Sequence, residues 1–287
     1  MAVDVLTLFV DQGALAGIRV GLEGIIVDAH MPECENVRPE EIQQSLSTYF
    51  DGIDVRGLIL TGFDSDHAHD LGVEWILSEF QPAWIMYPKY YKDTDCATAV
   101  FNSINKHERQ RALTSRPLIR HSVRLDKMAS RFIPDLGRGF SVELFSPHFE
   151  DMDISNNCSI VAKIVGNDPK GFRYLATGDT EIDRWETISR LFGDNIAADV
   201  MAASHHGSVS GVYPKALLNV SPNTVLISAG VESQYDHPHG QSIKAYQAVA
   251  EHVWATNAGG IGKNLLTRRR GSDFDTIAFE HPEAAAA

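Results

Sequence analysis

Residues 55–70 read VRGLILTGFDSDHAHD. The opening "VRGLIL" has the length and apolar character of a strand. After it, Asp64, Asp66, His67, His69 and Asp70 fall within seven positions. Carboxylates and imidazoles at that density form the donor set of a divalent-metal site, here at the end of a strand. Gly62 occupies a position where a further ligand would be expected, and it has no side chain to offer. Beyond the cluster, "DHAHDLGVEWILSEF" takes helical spacing at Leu71, Trp75, Ile76 and Phe80. The ligands therefore sit at a strand-to-helix turn.

The same alternation extends in both directions. "VDVLTLFV", "GIRVGL" and "GIIVDAH" read as three short strands, and "RPEEIQQSLSTYF" as a helix with Pro39 in its first turn. "AWIMY" predicts a strand, and a helix is expected from Thr94 to about Arg116. In the second half, "FSVELFSP", "SIVAKIVG", "FRYLATGD", "DVMAAS" and "NTVLISAG" read as strands. The helices expected among them are "EIDRWETISRLF", "YPKALLNV" and "GQSIKAYQAVAEH". Strands alternating with helices in both halves predict an α/β body. No linker rich in Pro, Gly or Ser divides it, so one domain is expected over 1–282, with a disordered tail at 283–287.

Composition narrows the class. The chain has 287 residues, 44% of them hydrophobic, which is enough for a sizeable core. No apolar run approaches the roughly 20 residues of a membrane span, and "MAVDVLTLFVDQ" lacks the marks of a signal peptide. Cys34, Cys96 and Cys158 are scattered and odd in number, so a disulfide framework is not expected and a cytoplasmic setting is. A net charge of −13 excludes a protein that coats nucleic acid indiscriminately. Residues 101–140 oppose that balance, with nine basic side chains against three acidic ones. They read either as ordinary solvated charge or as a local anion-binding face.

Polar clusters recur after the apolar runs: Asp28 after "GIIV", Asp179 after "YLATG", His205 and His206 in "SHHGS", and His237 and His239 in "YDHPHG". Asn156 and Asn157 precede "CSIVAKIV". Strand ends in a mixed sheet converge on one edge, and sites are built there.

In the order "LFVDQGALAGIRV", "IIVDA", "DSDH", "NNCSIVAKI", "YLATGD", "MAASHHGS", "ISAGVESQYDHPH", "WATNAGGIG", the chain resembles the metallo-β-lactamase superfamily. Within it, the chain is similar to the hydrolase domain of ComEC-like DNA-uptake proteins. The resemblance implies a four-layer αββα sandwich with a metal site at one edge of two sheets. The branch's HxDxDH window falls on Gly62, Asp64, Asp66 and His67. Asp179 matches a carboxylate shared between two metals. One of His205 and His206, with His205 preferred, matches the last histidine ligand. The implied ligands are thus Asp64, Asp66, His67, Asp179 and His205. They would hold one or two divalent ions, for which Mn²⁺ or Mg²⁺ suits the oxygen-rich set at least as well as Zn²⁺. The branch's "GQGD" reads Asp11, Gln12, Gly13, Ala14 here, and its "TD" reads Thr256–Asn257.

The implied activity is a metal-dependent phosphodiesterase or nuclease working through metal-activated water, with nucleic acid as partner. Asp66, His237 and His239 are the expected catalytic residues. Asn157, Ser208, Arg109 and Arg116 are expected to bind substrate, and a homo-oligomer is compatible with the sequence. Two other readings stay open. One is a non-catalytic binding or assembly module, suggested by Gly62 and the altered "DQGA". The other is a hydrolase of a small ester, lactone or nucleotide.

Overall fold

On the third strand, Ile25 and Val27 enter one apolar cluster and Ile26 enters another, so both faces of the strand are buried. That period-two division builds the layers. The computed structural model describes residues 3–281 except 91, 127–128, 134–135, 150–154, 168–170 and 272. The tail expected at 283–287 lies outside the described residues.

The first half runs β1 (Val3–Thr7), β2 (Ala16–Val20), β3 (Glu23–Val27), α1 (Pro39–Tyr49), β4 (Asp54–Ile59), α2 (Asp70–Glu79), β5 (Trp84–Pro88), α3 (Asp95–Arg111) and β6 (Ile119–Val123). The second half opens with β7 (Arg131–Ile133), β8 (Phe140–Ser146), β9 (Val161–Gly166), β10 (Arg173–Ala176), α4 (Ile182–Phe192) and β11 (Val200–Ala202). It continues with α5 (Pro214–Val220), β12 (Thr224–Ile227), α6 (Gly240–Gln247) and β13 (His252–Ala255). Finally β14 (Asn264–Arg270) and β15 (Asp273–Phe279) return to the first sheet.

Among the described residues the sheets are ordered β15-β14-β1-β2-β3-β4-β5-β6 and β13-β12-β11-β10-β9-β8-β7. Strands β3 to β6 are mutually parallel, as are β10 to β13, and the other pairings are antiparallel. One core cluster joins Val5 and Ile18 of the first sheet to Val142 and Ile164 of the second, so the sheets pack face to face. A second cluster covers the outer face of the first sheet with Ile42, Leu46, Val73, Ile76, Val100 and Ile104 from α1, α2 and α3. A third covers the other sheet with Trp185, Ile188, Leu217 and Tyr246 from α4, α5 and α6. The result is the four-layer αββα sandwich.

Two helix ends and one strand differ from the sequence expectation. Helix α3 starts at its Thr94 cap, whose side chain accepts from the Ala97 amide, but it ends at Arg111 and not near Arg116. Pro117 disfavours helical backbone in the residue before it. The Arg111 guanidinium then ties the turn down through the carbonyls of Gln81, Pro82 and Arg116. Strand β6, "IRHSV", has no apolar alternation because it is the edge of its sheet. Helix α6 ends at Gln247, several residues short of the expected His252.

Candidate metal centre

Each parallel β-strand delivers its following loop to the same edge of the sandwich. The loop after β4 carries Asp66 and His67, the turn after β10 carries Asp179, and the turn after β11 carries His206. Ligand atoms of these four side chains all lie within 4.8 Å of one another. His67, Asp179 and His206 are buried and Asp66 is half-buried. Asp179 Oδ1 stands 2.8 Å from His67 Nε2 and 3.6 Å from His206 Nε2, while Asp66 Oδ2 is 3.5 Å from His206 Nε2.

Both imidazoles are held from behind. His67 Nδ1 donates to Asp28 Oδ2 at 2.9 Å, and His206 Nδ1 donates to the Ser228 carbonyl at 3.0 Å. Each ring therefore presents Nε2 inward, the arrangement in which an outer partner orients a metal-binding histidine. Asp28 is itself anchored by the amide of Thr61 at 2.6 Å and by its hydroxyl at 2.8 Å.

The donor set fits a divalent ion. His67 Nε2, His206 Nε2 and Asp179 Oδ1 are buried with no hydrogen-bond partner among the described residues. Although His67 Nε2 and Asp179 Oδ1 are 2.8 Å apart, none of the three makes a well-formed hydrogen bond, and a cation between them would give all three a partner. Two imidazole nitrogens and two carboxylates are the donor types that hold divalent ions in proteins. Electrostatics point the same way. Burial alone would lower the His67 pKa, but the carboxylates of Asp179 and Asp28 outweigh it and leave it well above the ordinary imidazole value. His206 is raised too, burial being overcome by Asp179 and Asp66. Burial pushes Asp66 and Asp179 up, yet the neighbouring histidines hold both below the usual carboxylate range. The cluster thus favours positive charge at its centre.

Backbone geometry at the site is unusual. Asp28, His205 and His206 adopt φ of 59°, 50° and 54°, a region costly for residues with a side chain and found where surrounding structure enforces it. Gly178, at φ 50°, could not carry a Cβ without coming within 2.9 Å of Thr61, so the turn that delivers Asp179 requires glycine. The "DQGA" segment binds the ligand loop directly. The Ala14 amide donates to the Asp66 carbonyl at 2.8 Å, and the Ser228 hydroxyl donates to the Gly13 carbonyl at 2.7 Å. A Cβ on Gly13 would lie 2.2 Å from the His30 ring.

No family model matches the chain. Two proteins share 31% identity with segments of it: ComE operon protein 3 of Bacillus subtilis over 117 residues, and Competence protein ComA of Neisseria gonorrhoeae over 103. The matches take in 41% and 35% of this chain, and only 15% and 14% of those longer proteins. Over those segments the chain is similar to ComEC-like competence proteins. Among solved structures it is similar to Igni18, a metallo hydrolase of Ignicoccus hospitalis, with 15% identity, a TM-score of 0.49 and coverage of 96% of this chain and 99% of that one. It is also similar to a diphosphatase of the PhnP family, with 11% identity, a TM-score of 0.46 and coverage of 91% and 97%.

Against the ComEC-like pattern, the structure gathers Asp66, His67 and Asp179 with His206, the second histidine of "SHHGS", and not with the preferred His205. His205 turns towards Glu181, 3.6 Å from Nδ1, and Ser210, although its Nε2 stays 3.9 Å from Asp179 Oδ2. Asp64 stands apart from the four, its carboxylate held by Lys92 and by the Ser155 hydroxyl. His69 packs edge-on against His30 at 5.5 Å.

On the rim, Gln12 orients His237. Gln12 Oε1 accepts from the Gly230 amide at 3.4 Å, so its Nε2 faces His237 Nδ1 at 3.3 Å and the imidazole proton is left on Nε2. Burial and the nearby histidines lower the His237 pKa to about 4, which makes the ring neutral near pH 7. His239 Nδ1 accepts from the Val209 amide. Ser208 closes a turn onto Ser210, and buried Asn157 accepts from the Glu181 amide, fixing the turn after Asp179. Sequence reasoning placed Asp28, Gln12 and Gly13 in recurrent motifs without giving them a part in the site.

Arg109 and Arg116 are not brought to this edge. Helix α3 runs back across the sheet, and Arg109 is about 22 Å of helix beyond Thr94. Arg116 pairs with Asp54 at 2.6 Å and with the Val55 carbonyl, at the opposite end of β4 from Thr61. Arg120 is held by Glu108 and Asn105. Three of the nine basic side chains, Lys106, Arg116 and Arg120, are thus paired with Glu74, Asp54 and Glu108. Among the described residues no helix is long and apolar enough to cross a membrane.

Proposed function

We propose that the chain is a metal-dependent phosphodiesterase acting on nucleic acid. The observation that carries this reading is the converging group Asp66, His67, Asp179 and His206, with both imidazoles pinned at Nδ1 and their inward nitrogens unsatisfied. The competence-protein relatives favour a nucleic-acid substrate over a small ester. A divalent ion here would lower the pKa of a coordinated water and polarise the oxygen under attack. The protein's own contribution is orientation. Asp28 and the Ser228 carbonyl fix the ligand rings, and the half-buried Asp66 carboxylate can accept a proton from the attacking water. His237, neutral and protonated on Nε2 through its contact with Gln12, can donate a hydrogen bond to the departing oxygen.

Cleavage of an end-labelled single strand in Mn²⁺ tests the proposal, with Asp179→Ala as control. The expected result is cleavage that chelation stops and that falls at least about 10³-fold in the variant. Hydrolysis of a small ester without strand cleavage would favour the small-substrate reading. A folded, metal-loaded chain inert to both would leave a binding module.

A further inference from the structure

Asp64, two residues before the ligand Asp66, stays outside the four-residue group and pairs with Lys92. Asp64 matches a ligand position of the ComEC-like pattern, yet its Oδ1 meets the Lys92 ammonium and its Oδ2 accepts from the Ser155 hydroxyl at 3.0 Å. Lys92 Nζ also lies 3.5 Å from Ser155 Oγ. Tyr90 anchors the segment after β5, its hydroxyl accepting from the Phe63 amide at 3.1 Å and its ring 5.6 Å from that of Phe63. At Gly62 a Cβ would meet nothing closer than the Asp64 amide, 4.0 Å away. The space where a first-motif ligand would project is open.

The Asp179 carboxylate divides between the two regions. Oδ1 faces His67 and His206, whereas Oδ2 faces His205 at 3.9 Å. A second ion would need Asp64, Asp179 Oδ2 and His205 to converge. Among the described residues the only metal-binding group is Asp66, His67, Asp179 and His206. Asp64 is already neutralised by an ammonium, and a divalent ion arriving beside that ammonium would be repelled.

We propose that Lys92 replaces a second metal ion: the site holds one divalent cation, and the Lys92 ammonium, seated on Asp64 in place of the other, binds an anionic oxygen of the substrate phosphate. This rests on the phosphodiesterase reading for its substrate class, but the metal count does not. An ammonium supplies charge and donors for a phosphate oxygen without activating water. The division of labour is therefore unequal: the four-ligand group serves the attacking water, and Lys92 serves the phosphate.

The test is equilibrium dialysis of the full chain against Mn²⁺, followed by calorimetric titration of the Mn²⁺-loaded protein with inorganic phosphate. One Mn²⁺ per chain is expected. Lys92→Met should weaken phosphate binding about tenfold and Lys92→Arg should recover most of it, as expected for a lost charge-assisted contact. Lys92 is partly exposed, and circular dichroism would verify that the variants fold. The metal count on the unaltered chain stands regardless. Two ions per chain, or phosphate affinity unchanged in Lys92→Met, would overturn the assignment. A chain that takes up no metal would overturn it together with the phosphodiesterase reading. One ion with Lys92-dependent phosphate binding but no strand cleavage would sustain Lys92's role and overturn the phosphodiesterase reading alone.

Discussion

Asp28 takes hydrogen bonds from the Thr61 amide, the Thr61 hydroxyl and His67 Nδ1, and so couples the end of β3 to a ligand on the loop after β4. Replacing it with asparagine keeps the shape and removes the charge that orients and polarises the ring. Asp28→Asn should weaken Mn²⁺ binding about 10- to 100-fold, measured by competition with a chromogenic chelator, with the circular dichroism spectrum unchanged. In the sequence, Asp28 was visible as a strand-end carboxylate, but nothing local reveals its partner 39 residues away. The same holds for the adjacent histidines. Both take left-handed backbone, and the Ser228 carbonyl at the end of β12 holds the His206 ring at the cluster. Local sequence offers two equivalent imidazoles and no means of choosing between them.

Helices matter to the site through what they brace. Trp185 of α4 is fully buried and donates its indole N–H to Ser204 Oγ at 2.9 Å, at the start of the histidine turn. Trp185→Ala should lower the unfolding free energy by about 3–5 kcal/mol, read from urea denaturation of chelator-treated protein. Helix periodicity made α4 legible, because the stripe Trp185, Ile188 and Phe192 repeats at three- and four-residue spacing. Edge strands were not legible: β6 buries only Val123, so no alternation marks it. The basic segment shows a related limit. Its charge can be counted from the sequence, but Arg111, Arg116 and Arg120 are taken up by carbonyls, Asp54 and Glu108.

Across the whole molecule, the site stores charge that titrates. Without metal, the raised pKa values of His67 and His206 give stability that is full below about pH 6.5 and is lost as pH rises through their folded values. The lowered values of Asp66 and Asp179 give stability present above about pH 3.9 and lost on acidification. The chelated protein should therefore be most stable in mildly acid solution, and its Tm should decline from about pH 6.5 upward. A bound divalent ion replaces those protons, so saturating Mn²⁺ should remove the alkaline decline and raise Tm. Thermal scans across pH, with chelator and with Mn²⁺, check both. A Tm that rises through neutrality in the chelated protein would contradict the charge distribution described above.

The layered α/β architecture and the strand ends that carry chemistry are legible along the chain, because strand and helix periods and ligand density are written in neighbouring residues. Folding settles which histidine joins Asp66, His67 and Asp179, the pairing of Asp64 with Lys92, and the place of Arg116 at the far end of β4. Those outcomes depend on contacts between residues far apart in the chain. They come from two sheets whose parallel strands end at one edge and whose helices run back to the other.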